Sequence, residues 1–128
     1  MDIAKDLALI DLLCARDFPG EHERYHTAWL GPGHWPDVSD CYAYEVALVE
    51  GLTRRHGEAS RWGTVTLEQR IERGEAIPEP WGTLTALAID VRTWIEPVSG
   101  RRITIAVADR DGESVPQPWL AVTESDPP

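Results

Sequence analysis

CYAYEVALVEGLTRRH, residues 41–56, reads as an amphipathic helix. Cys41, Tyr42, Val46, Val49 and Leu52 recur at three- and four-residue spacing, which lines up one helical face and predicts its burial. Ser39 or Asp40 supplies a side-chain oxygen to cap the start, and Gly57 ends the helix. Arg54, Arg55 and His56 suit the negative end of the helix dipole. The chain beyond Gly57 is largely sheet-like and has no apolar cover of its own. This helix is therefore expected to supply that cover.

Upstream, residues 3–16 predict a first helix. Ile3, Leu7, Ile10 and Cys14 share a stripe, Asp2 can cap it, and Leu9, Leu12 and Leu13 widen the apolar surface. Pro19-Gly20 stops it. Between the two helices the chain is punctuated by Pro19, Gly20, Gly31, Pro32, Gly33 and Pro36. A short helix over 21–29 fits between these breakers. The remainder, LGPGHWPDVSD (30–40), reads as a loop, and with Trp29 at its edge and His34 and Trp35 within it is the expected functional loop.

Downstream, residues 62–66 (WGTVT) predict a short strand. Thr66-Leu67-Glu68-Gln69 has the spacing of a capping box, predicting a short helix through Arg73 that Gly74 closes. Residues 75–82 are expected to be extended, since Pro78 and Pro80 forbid a central strand. Residues 87–95 alternate: Leu87, Ile89, Val91, Thr93 and Ile95 on one face, Asp90, Arg92 and Trp94 on the other. Ile103, Ile105 and Val107 continue the alternation past the 97–100 turn, and 119–123 supply a third strand. Asp109, Asp111 and Gly112 mark a turn; as a calcium loop their ligand series is incomplete.

Helices succeeded by an antiparallel meander predict an α+β two-layer domain over 1–123, its N-terminal helices on one face of the sheet, with 124–128 a flexible tail. The other sheet face is expected to be open and to carry Arg92, Trp94 and Thr104.

The formal net charge of −10 argues against nucleic acid or an anionic membrane as partner and favours a basic protein. The start of the chain lacks the basic residues of a secretion signal and no apolar run is long enough to span a membrane, so a cytoplasmic location is expected. Cys14 and Cys41 fall on apolar stripes and read as small buried hydrophobes rather than a disulfide or a nucleophile. Six tryptophans are many for this length. Each combines a large apolar body with one N–H to satisfy, which suits a core supplemented by an interface.

Two features could carry chemistry. Glu45 lies at the angle of the apolar stripe, near Tyr42. It is either a rim carboxylate that reaches water or an arginine, or a carboxylate facing a pocket between helix and sheet with a raised pKa. His22-Glu23-Arg24-Tyr25-His26 matches H-E-x-x-H and over those five residues resembles the zincin metallopeptidases. The resemblance implies that His22 and His26, one helical turn apart, ligate zinc, with His34 as a third ligand and Glu23 as general base. The glycine and third histidine of the longer metzincin pattern come too late, and Pro19-Gly20 leaves little helix before the motif. The plain alternative is a polar helical turn with Tyr25 and Trp29 packed inward, and no metal or other cofactor is expected.

The reading these features favour is a small acidic, non-enzymatic protein that binds and inhibits a basic protein, in the manner of an immunity protein. Trp29, Trp35 and Asp37, with Trp94 on the open face, are its expected contact residues. The alternatives are a small-molecule pocket or enzyme site holding Glu45 and Tyr42, and the zinc hydrolase.

Overall fold

The computed structural model describes residues 3–112 and 115–128. Its elements in order are α1 (Ile3–Ala15), β1 (Tyr25–Trp29), α2 (Val38–His56), β2 (Ser60–Gly63), α3 (Val65–Glu72), α4 (Trp81–Leu87), β3 (Asp90–Ile95), β4 (Arg102–Val107) and β5 (Pro118–Thr123). The five strands form one antiparallel sheet in the order β1-β5-β4-β3-β2. The expected β3-β4-β5 meander is its centre, and the architecture is the α+β two-layer arrangement that the pattern predicts.

The helices α1 and α2 lie on one face. Leu7, Ile10, Leu13 and Cys14 of α1 meet Cys41, Tyr44, Leu48 and Leu52 of α2 over Trp94, Ile103, Ile105, Leu120 and Val122 of the sheet. The helices approach closely because Gly51 presents no side chain: a Cβ there would sit 3.0 Å from Leu7 Cδ1. The cap expected at Asp2 lies outside the described residues.

The helix α2 starts earlier than expected and turns a different face inward. Its cap is Asp37, not Ser39 or Asp40; the Asp37 carboxylate accepts the Ser39 N–H at 2.9 Å. Gly57 closes it as predicted, with φ +89 and its N–H donated to Thr53 O. Of the stripe expected to be buried, Cys41 and Leu52 are in the core and Val49 is half-buried, but Tyr42 and Val46 are exposed. The helix carries two apolar stripes, Cys41-Tyr44-Leu48-Leu52 and Val38-Tyr42-Val46, roughly 100° apart at 3.6 residues per turn. The expected stripe mixes residues from both.

No helix forms over 21–29. A tight bridge pairs Gly20 with Glu23, and β1 then pairs antiparallel with β5, Trp29 opposite Trp119. Its partner lies about ninety positions along the chain, and no local pattern reveals it. Trp29, which the plain alternative of a polar helical turn would pack inward, is 56% exposed on the sheet face away from α1 and α2.

At the opposite edge, Thr66 does not open a capping box. The α3 helix begins two residues earlier, after Thr64, whose hydroxyl instead donates to Ala88 O at 2.6 Å. Residues 81–87 are helical, so the stretch expected to be extended through 82 gives way to a helix at Trp81, and the Glu79 carboxylate accepts the Thr83 N–H at 3.0 Å. Leu87 therefore belongs to α4, and β3 starts at Asp90.

The β3 faces are also the reverse of those expected. Trp94 is 1% exposed and points toward α1 and α2, so it offers no contact surface. Its hydrophobic area is the reason: on that face it meets Ile103 and the leucines of the helices, whereas Val91 and Thr93 suit the thinner second layer. That second face is not open. Val91, Ala106, Trp119 and Ala121 pack there against Leu84 and Ala88, with Trp62, Trp81 and Leu87 at the margin. The Trp62 indole donates to Thr93 Oγ1 at 3.1 Å. The segment 124–128 turns back over the sheet: Arg24 meets Glu124 at 3.1 Å, Arg102 meets Asp126 at 3.0 Å, and Arg70 donates to Pro128 O at 2.9 Å.

Candidate functional site

Where α2 crosses β2, β3 and β4, packing leaves a cleft of about 200 Å³, lined by Tyr42, Glu45, Arg61, Asp90, Val91, Arg92, Ile105, Val107 and Asp109. Tyr42 and Glu45 sit three residues apart on α2, so both reach the same side of the helix. In β3, Arg92 shares a face with Trp94, one strand step nearer the cleft, and opposes Ile105 of β4. Register places Arg61 of β2 opposite Arg92. Asp109 lies just past the end of β4.

Two pairs fix the walls. Arg61 meets Asp90 at 2.9 Å, and the Tyr42 hydroxyl donates to Asp109 Oδ2 at 2.6 Å. The Asp109 hydrogen bond, with burial and the aspartate charge, pushes the Tyr42 phenol up to about 12. Glu45 and Arg92 are different. Neither makes a side-chain hydrogen bond to another described residue, although both line the cleft. Burial raises the Glu45 pKa above the usual carboxylate value. Arg92 and Arg61 oppose the rise; Asp109 and Asp90 add to it. Glu45 is half-buried and lines this cleft. Tyr42, the other pocket candidate, stands at the same mouth. Cys41, just behind, has its thiol pushed up to about 11 by burial and by Glu45 and Asp109.

The outer side of α2 continues from this mouth as the exposed row Val38, Tyr42 and Val46, four residues apart and so aligned along one face. Asp37 caps the beginning of the row, Asp109 holds its middle residue, and Glu45 flanks it.

The other expected contact residues disperse. Trp35 is 6% exposed; its ring lies 5.4 Å from that of Tyr44, and its Nε1 donates to Gln117 Oε1 at 3.0 Å. It plugs the end of the core instead of offering an anchor. Trp29 is exposed, but on the opposite sheet face, beside a shallow groove with Leu87, Val115 and Gln117. Asp37, Trp29 and Trp35 thus do not form one patch.

The H-E-x-x-H residues do not form a metal site. His22 is in the turn before β1 and His26 is in the strand, its Nε2 at 3.2 Å from Arg16 O, so the one-turn spacing required for zinc is lost. Neither these histidines nor His34 belongs to a grouping of three or more His, Cys, Asp or Glu able to hold a metal among the described residues.

No family model matches this chain, and no curated protein or solved structure matches it. Among the described residues no helix is long and apolar enough to cross a membrane.

Arg92, Arg61, Asp90 and Asp109 were not legible as site residues, because their meeting depends on which strand lies beneath α2. The available signal was the pair Tyr42 and Glu45 together with the charged alternate positions Asp90 and Arg92 in an otherwise apolar strand.

Proposed function

We propose that this protein is a small acidic binding module that docks on a basic protein in the cytoplasm and blocks it. The observation that carries the proposal is the exposed Val38-Tyr42-Val46 row on α2, with the carboxylates of Asp37, Glu45 and Asp109 along its margin. An apolar strip at the centre of a contact excludes water. Acidic groups at its rim speed encounter with a cationic partner and fix its orientation. The net charge of −10 extends that attraction beyond the contact itself. The contact surface proposed is therefore α2, not the 27–38 loop: Trp35 and Trp94 are in the core, and of the contact residues expected from sequence only Asp37 borders it.

Affinity capture from the lysate of the producing cell, at low and high salt, tests this. A stoichiometric protein rich in Lys and Arg, associating more slowly as salt rises, supports it. Capture of an acidic partner, or association indifferent to salt, overturns it.

A further inference from the structure

The cleft beside the row shares Tyr42, Glu45 and Asp109 with the proposed docking surface, but its Arg92 and its apolar floor offer chemistry that docking does not use. Its three carboxylates face two guanidiniums, leaving an excess of one negative charge. Arg61 is engaged by Asp90, and Asp109 by the Tyr42 hydroxyl. Glu45 and Arg92 remain: opposite charges lining one cavity, each without a side-chain hydrogen bond to another described residue. Had they been placed only to neutralise each other, a direct ion pair would be expected, as for five arginine–carboxylate pairs on this surface at 2.5–3.1 Å. None forms between them. Ile105 and Val107 supply an apolar floor.

We propose that this cleft binds a small zwitterion, a free α-amino acid with a neutral or basic side chain. The guanidinium of Arg92 takes the ligand carboxylate in its planar fork. Glu45, with Asp109 beside it, takes the ammonium. The apolar floor receives the first carbons of the side chain, and the excess negative charge favours a basic side chain over an acidic one. The cleft, about 200 Å³, has room for a small ligand. Burial raises the Glu45 pKa although Arg92 and Arg61 oppose the rise, so a ligand ammonium beside the carboxylate would find it incompletely compensated. The argument for this ligand does not rest on partner docking, and its test needs no partner.

The test is titration of the full chain, monitored by heteronuclear NMR, with L-lysine, L-alanine, L-glutamate, acetate and methylammonium. The expected result is saturable shifts confined to α2 around Tyr42 and Glu45, to β3 around Arg92, and to the Ile105–Asp109 segment. L-Lysine should bind at least as well as L-alanine, and L-glutamate more weakly. Acetate and methylammonium should each be weaker by about tenfold or more, the equivalent of about one charge-assisted hydrogen bond. Arg92→Gln and Glu45→Gln should each weaken L-alanine binding by about tenfold while keeping the dispersed spectrum of the folded chain. Binding should also weaken as pH falls and Glu45 takes up its proton. No saturable shift by about 50 mM, far weaker than a functional site, would overturn the proposal. So would acetate or methylammonium matching L-alanine, which would mark a plain anion or cation patch. Shifts centred away from the cleft would do the same.

Discussion

Trp35 decides whether the tryptophans of the 27–38 segment are packing or recognition, and Trp35→Ala should be severe. The indole is 6% exposed. It lies so close over Gly31 that a Cβ on that glycine would come within 2.7 Å of Trp35 Cζ2. Its N–H donates to Gln117 Oε1, and Gln117 in turn donates to Gly33 O at 3.0 Å. Gly31 is also tied to the core: its N–H donates to Asp6 Oδ2 at 2.8 Å, and the same oxygen accepts the Tyr44 hydroxyl. Truncation to alanine opens a cavity over this knot and should cost about 3–5 kcal/mol. At roughly 3–5 °C per kcal/mol for a chain of this size, the thermal midpoint falls by ~9–25 °C. Trp35→Phe keeps much of the apolar body but orphans the Gln117 carbonyl, costing about 1–3 kcal/mol. Gly31→Ala meets both the ring and a φ of +79, and should cost about as much as a residue held in a strained backbone region, ~1–3 kcal/mol. Trp29→Ala, on an exposed edge position, should cost under about 1 kcal/mol. Urea and thermal unfolding of these four variants measure the differences. If Trp35→Ala unfolds within about 1 kcal/mol of the parent chain, or Trp29→Ala costs as much, the assignment of Trp35 to the core is refuted.

Other expectations rest on equally local features. Leu48→Ala deletes three buried carbons at about 0.8 kcal/mol each plus a cavity, so it should cost ~2–5 kcal/mol, whereas Val46→Ala should change unfolding by under about 0.5 kcal/mol; equal costs would mean α2 faces the sheet differently. Glu45 has a pKa raised in the folded chain, so folding binds its proton more tightly; its ionisation costs stability as pH rises from the ordinary carboxyl value of about 4.3 through the folded pKa. Glu45→Gln should therefore gain stability relative to the parent as pH rises to neutral, and a difference between the two urea midpoints that stays constant from acid to neutral pH would count against it. Cys14 and Cys41 are buried with thiols pushed up to about 11, so iodoacetamide at mildly alkaline pH should label them only as the chain unfolds. Arg101 donates to Leu13 O at 2.8 Å and Arg16 O at 2.6 Å at the end of α1 and stacks 3.9 Å from the Phe18 ring; Arg101→Ala should cost about 1–3 kcal/mol, read by the same unfolding assays.

The parts of the fold legible in the sequence were those written in local period. The α1 stripe, the Gly57 stop and the three central strands each need only near neighbours. What misled was a pattern with two solutions. Tyr42 and Val46 satisfy helical spacing as well as Tyr44 and Leu48 do, and only the sheet beneath selects between them. Trp94 is similar: alternation put it opposite Val91 and Thr93, correctly, but could not say which side the thicker helical layer covers. The strand at 25–29 owes its existence to β5, and the H-E-x-x-H spacing loses its meaning once that stretch is extended. The cleft was half visible, in Glu45 and Tyr42, and its other wall comes from strands that the register brings beneath α2.

Capture with a single altered side chain on the outer face of α2 decides whether that face is the docking surface for a basic protein. Val46→Lys puts a cation in an exposed position of the strip, repels a basic partner and should leave the fold intact. Compared with the parent chain and with Trp29→Lys under identical salt, it should fail to retain the basic partner that the other two retain. Retention of that partner by Val46→Lys, with loss from Trp29→Lys, would place the contact on the opposite sheet face and contradict this reading.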